Sequence, residues 1–178
     1  FTAVEGAVPG TLHLRQGDSH SVEVEAPPAV LDRIVTSVSG NTLEISTEGS
    51  SGLSRVLSGD TRATDAVQVF VTAPRIRALT QAGSGQVVGA SRLEASSLSL
   101  TVAGSGGMEV EVTAETLDVS VAGSGAGTVR GKAGTRTAHI DGSGDLRGGG
   151  AEGDTADGPT ALSGDLAVRV AGGARDTP

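Results

Sequence analysis

The chain has 178 residues, a formal net charge of −8, 28 glycines and no cysteine. Its length suits one domain of ordinary size or two very small ones. The acidic balance speaks against nucleic-acid binding, which needs clustered Lys and Arg to neutralise phosphates, and the missing cysteines exclude disulfides and thiolate metal sites.

Apolar residues make up 37% of the sequence, enough for a core, but the only Phe, Tyr or Trp residues are Phe1 and Phe70. An interior of Val, Leu, Ile and Ala suits a narrow, regular core. Abundant Gly, Ser and Thr disfavour helices and make turns easy, so the expected class is all-β. The lack of aromatics removes stacking platforms for single-stranded nucleic acid and weakens a role in stacking on sugars. No apolar run approaches the roughly 20 residues of a membrane span. The chain opens on FTAVEGAV with no leader in view, which fits a trimmed mature segment and leaves the compartment open.

In chain order, TLHLR (11–15), SVEVE (21–25) and TLEIS (42–46) each place apolar residues at every second position, the mark of half-buried strands. QGD (16–18) and SGN (39–41) are turn signals between them. LDRIVTSV (31–38) reads as a short helical turn or as another strand. Residues 48–65 are polar, rich in Gly and Ser and without period, the composition of a long mobile loop. AVQVFVTAP (66–74) resumes strand character, which Pro74 ends.

From there the chain repeats. GSG triplets begin at Gly83, Gly104, Gly123 and Gly142, a period near 20 that marks a stacked-repeat architecture. A fifth copy, LSGD at 162–165, has Leu162 in place of the first glycine. Ahead of the triplets, Leu98, Leu100 and Val102 recur as Leu117, Val119 and Val121, then fray to Arg136, Ala138 and Ile140. Behind them, Met108, Val110 and Val112 recur in the last copy as Leu166, Val168 and Val170. The positions between hold Ser99, Thr101, Asp118, Ser120, Thr137 and His139, so apolar side chains share one face and hydroxyl or charged ones the other. The pattern predicts a β-helix (β-solenoid) of roughly 20-residue coils, stacked about 4.8 Å apart. Each coil is a strand, a GSG corner, a second strand and a less regular corner. As one domain, the chain divides into N-terminal strands that extend or cap the stack (1–47), the loop (48–65), repeat coils (66–171) and a tail (172–178).

The triplets read as structural corners: Gly83, Ser84 and Gly85; Gly104, Ser105 and Gly106; Gly123, Ser124 and Gly125; Gly142, Ser143 and Gly144; and, in the fifth copy, Ser163 and Gly164. Glycine reaches φ > 0 at little steric cost, and stacked corners need small side chains. A phosphate loop would open onto a helix N-terminus, whereas strands follow here. A nucleophile elbow carries one exposed serine on a strand-to-helix turn, not four equivalent ones.

Few residues remain to carry chemistry. Asp145 and Asp165 share one offset from the triplet and would sit about 5 Å apart on neighbouring coils. Such a pair shares a proton, binds a cation or stays solvated, so it is the candidate cation site. Glu152, Asp154 and Asp157 lie between the two aspartates, in a segment that faintly resembles calcium-binding glycine repeats of a different period. His139, Asp141 and Ser143 contain the residue types of a catalytic triad, but side chains along one strand diverge and rarely meet at one atom. His13 and His20 read as surface histidines. No catalytic residue and no cofactor is expected.

The stretches LHLRQGDSHSVEVEAP, LDRIVTSVSGNTLEI and VQVFVTAPRIRALTQAGSGQV, followed by repeated GSG and GSGDL, resemble the head GIN domain family of auto-transporter adhesins. The resemblance runs from Phe1 to about Val170 and is most specific at VTAPRIRALTQAGSG (71–85) and HIDGSGDL (139–146). It implies a β-helical fold, a secreted or surface location, and no enzymatic activity or cofactor. The resulting expectation is a non-enzymatic extracellular or cell-surface module, adhesin-like or structural, whose partner is a surface ligand or polysaccharide. The alternatives are a homo-oligomer assembled through coil ends and a polysaccharide-acting enzyme on a β-helix scaffold, which would need Asp145 and Asp165 as its acid–base pair.

Overall fold

An extended chain with apolar side chains at alternate positions hides them only by turning one face inward. The computed structural model, which describes residues 1–47 and 67–149, arranges these stretches as one open, curled sheet of 12 strands. The strands are β1 (Ala3–Gly6), β2 (Thr11–Gln16), β3 (Ser21–Glu25), β4 (Ile34–Ser39), β5 (Thr42–Thr47) and β6 (Gln68–Ala73). They continue as β7 (Ala78–Gly83), β8 (Gln86–Gly89), β9 (Leu93–Gly104), β10 (Gly107–Gly123), β11 (Ala126–Gly142) and β12 (Asp145–Gly149). A single helical turn, α1 (Pro28–Leu31), begins with proline in its first turn, where the missing N–H costs nothing. The 31–38 stretch is thus divided: its start closes α1 and most of the rest is β4. The loop expected at 48–65 and the fifth repeat copy lie outside the described residues, as does the tail. Among the described residues no helix is long and apolar enough to cross a membrane.

Parallel pairing dominates. β10 lies beside β9 with Leu93 against Val112, and β11 lies beside β10 with Val112 against Gly131. Salt-bridged Arg92 and Glu111 mark the same 19-residue step on the outer surface. The N-terminal strands enter this arrangement: β1 runs parallel between β5 and β7, and β2 parallel between β6 and β8. Among the described residues only β3 and β4 pair antiparallel, with β6 and β5, and they stand at the two ends of the main strand path.

In-register stacking turns the apolar alternation into ladders. Leu43, Val4, Leu79, Leu100 and Val119 follow one another across five strands and are all buried. Val69, Leu12, Val87 and Met108 form a second buried ladder, continued by Gly127 and Leu146. Gly127 leaves a gap that Leu146 fills, since a Cβ there would lie 2.9 Å from a Leu146 methyl carbon. Among the described residues Gln81 is the one buried polar residue, standing in register with Val102, Val121 and Ile140. Its Nε2 donates to Ala82 O at 3.2 Å, and Gly6 on the adjacent strand leaves room for the amide.

The ladder of Leu98 and Leu117 ends on Arg136, the fraying visible in the repeat. The Arg136 Nη2 is buried without a hydrogen-bond partner. An unpaired buried polar group costs more than its hydrogen bond would return. Arg136→Leu, which continues the ladder and removes that group, is expected to raise stability by about 1–2 kcal/mol, read as a higher urea midpoint with an unchanged slope.

Candidate binding face

The four described triplets stack on one another. Gly83, Gly104, Gly123 and Gly142 have φ of 93°, 118°, 104° and 125°, a region that side-chain-bearing residues rarely occupy. The third residue of each triplet faces a different constraint. A Cβ on Gly106 would lie 2.2 Å from Gly85 O, inside the path of the neighbouring backbone. The close approach is used for hydrogen bonding: the Ser105 and Gly106 amides donate to Gly83 O at 3.0 and 2.9 Å, and Ser124 N donates to Gly104 O at 2.9 Å. Ser84, Ser105, Ser124 and Ser143 point into water. Ser163 and Gly164 lie outside the described residues.

Beside this corner, β7, β9, β10 and β11 present three outward columns. The first is Ala78, Ser99, Asp118 and Thr137; the second is Thr80, Thr101, Ser120 and His139; the third is Ala82, Ala103, Ala122 and Asp141. Members of a column are about 4.8 Å apart and neighbouring columns about 6.6 Å apart. Small side chains keep the face low, and each hydroxyl both donates and accepts. The second column runs on past Thr80 to Glu5 and Glu44, two exposed carboxylates on adjacent strands. Their proximity has no counterpart in the repeat, because neither residue belongs to it.

The remaining candidates are dispersed. His139 and Asp141 are exposed on β11 with Ser143 in the corner beyond, and no side-chain hydrogen bond joins the three. The Asp145 carboxylate accepts from the Arg147 guanidinium at 2.7 Å; Asp165, Glu152, Asp154 and Asp157 lie outside the described residues. Among the described residues no cluster of three or more His, Asp or Glu is placed to hold a metal. His13 stacks on Phe70 with ring centroids 4.8 Å apart, its Nε2 2.6 Å from Gln68 Oε1. His20 Nε2 donates to Phe1 O at 3.0 Å.

A shallow cleft of about 340 Å³ lies at the second corner, lined by Gln16, Gly17, Asp18, Pro74, Ser91, Arg92 and Glu94. Gln16 spans it as a strut. Its Nε2 donates to Pro74 O and Glu94 O, both at 3.1 Å, and its Oε1 accepts from Glu94 N at 2.7 Å. With its amide already engaged on both sides, Gln16 ties strands together. The sequence marked this place only as a turn.

Fold and face together define an all-β protein whose in-register strands carry one side of small, hydroxyl-bearing residues. A family model described as "Putative auto-transporter adhesin, head GIN domain" matches residues 1–175, and the chain belongs to that family. No curated protein matches it. Among solved structures it is similar to a "putative adhesin" from Parabacteroides distasonis, at 18% identity and TM-score 0.79 over 93% of this chain and 68% of that one. It is also similar to a "putative adhesin" from Bacteroides fragilis, at 14% identity and TM-score 0.58 over 86% and 87% of the two chains. A third, a "Putative lipid binding protein" from Parabacteroides distasonis, shares 19% identity and a TM-score of 0.61 over 94% and 77%. At these identities the likeness is one of fold.

Proposed function

We propose that the chain is a non-enzymatic, extracytoplasmic β-helical module that binds a polyhydroxylated surface ligand, a polysaccharide, through the columns on β7, β9, β10 and β11. The coil reading is supported by registers that repeat at 19 residues between β9, β10 and β11. The surface location is supported by membership of a family described as adhesins. The binding reading rests on one observation: Thr80, Thr101 and Ser120 stand in register, followed by His139, on a face otherwise made of Ala, Ser, Thr and Asp. Regularly spaced hydroxyls offer a polymer many weak, repeated hydrogen bonds, and their avidity grows with the length engaged. A lipid is the less favoured partner, because the face has no large apolar side chain to receive an acyl chain.

The test is a glycan array probed with the wild-type chain and with Thr101→Lys and Ser120→Lys. Both residues lie on the outer side of the sheet, so the fold tolerates the change. Binding to a defined polysaccharide class, lost by at least about tenfold in both variants, is the expected result. Undiminished binding by the variants, or silence of the wild type across the array, overturns the assignment.

A further inference from the structure

We propose that the free edge of β4 is a self-pairing seam through which two copies of this chain join antiparallel, about a two-fold axis at Thr36. This inference is independent of the ligand reading above. Among the described residues β4 ends the strand path and pairs only with β5, and five of its six residues are exposed. Protected edges carry charges, proline or a bulge. The segment IVTSVS has no charge and no proline, and it pairs residue for residue with β5 along its whole length.

The identity of the occupant follows from face and charge. Ile34, Thr36 and Val38 lie on the same side of the sheet as their partners Thr47, Ile45 and Leu43. Ile45 and Leu43 are buried, whereas Val38 is 59% exposed, so the core-side face runs on past its cover. An antiparallel pair of identical strands about an axis normal to the sheet keeps the faces matched, so a residue pairs only with one on the same side. Centred on Thr36, this places Ile34 against the partner's Val38 twice, Val35 against Ser37, and Thr36 against itself. Arg33 then meets Ser39 and Asp32 meets Gly40, so no like charges oppose. Centring on Ser37 would instead set Ile34 against Gly40 and Val38 against Thr36, leaving both apolar residues poorly matched. Two chains of net charge −8 repel, and an uncharged strand is where they can meet most closely. A single strand pair covers less area than a standard interface of about 800 Å² per partner, so association is concentration-dependent and strengthens with salt.

The chain contains no cysteine, so Thr36→Cys introduces a single thiol. Across the axis the two Cβ atoms would be about 4.5–5.5 Å apart, near disulfide reach. Under mild oxidation Thr36→Cys is expected to form a covalent dimer at least about tenfold faster than Ser105→Cys, an exposed thiol on the triplet corner. In sedimentation the wild-type mass rises with concentration, while Thr36→Lys stays monomeric with an unchanged melting temperature. Equal cross-linking by the two cysteine variants, or wild-type association by Thr36→Lys, overturns the seam.

Discussion

Leu100→Ala is expected to cost about 3–5 kcal/mol, a large share of the stability of a domain this size. Leu100 is fully buried, with Leu79 and Val119 in register on the strands either side. The ladder from Leu43 to Val119 has one buried aliphatic side chain at each position, and the neighbours of Leu100 are held by their own backbone pairing. The strands therefore cannot close over the gap, so the loss combines the transfer of the missing carbons with a persistent cavity. Urea unfolding followed by circular dichroism measures it, with Val88→Ala, half-buried on the outer face of β8, as the contrast. A loss below about 1 kcal/mol would mean that the ladder relaxes and that packing does not hold the stack together.

The second large effect separates the members of the triplet. Gly104→Ala is expected to lower stability by about 2–4 kcal/mol, while Ser105→Ala changes it by less than about 0.5 kcal/mol. At Gly104 two penalties coincide: φ is +118°, and a Cβ would lie 2.6 Å from Gly83 O. That oxygen accepts both the Ser105 and Gly106 amides, so displacing it loosens the corner of the neighbouring strand as well. Ser105 is exposed and its backbone amide survives the change to alanine. The same unfolding experiment decides the matter: comparable losses in the two variants would give the hydroxyl a structural task that the geometry does not assign to it.

These expectations divide the chain between scaffold and surface. The glycines and aliphatic ladders set the position of every outward residue on β7, β9, β10 and β11, and the hydroxyl columns inherit their spacing from the backbone. Binding substitutions on the columns should therefore leave stability almost unchanged, whereas Leu100 and Gly104 variants should lose both.

Much of this was legible in the residues alone. A period of two assigns each side chain to a face, so the buried places of Leu98, Leu100 and Val102 and the outward ones of Ser99, Thr101 and Ser120 followed from alternation. Where a segment repeats, its copies also name one another as neighbours, which is why the stacking of Gly104 on Gly83 and the break at Arg136 could be read from spacing. Tertiary structure alone decided what does not repeat. Nothing local tells β1 to lie between β5 and β7, or β2 between β6 and β8, because a strand's alternation is satisfied equally by any neighbour of matching register. The room that Gly6 leaves for the Gln81 amide, the meeting of Glu5 with Glu44, the Gln16 strut and, among the described residues, the open edge of β4 all follow from such pairings. Partner choice is settled by the global packing of the ladders, and no short stretch of sequence contains it.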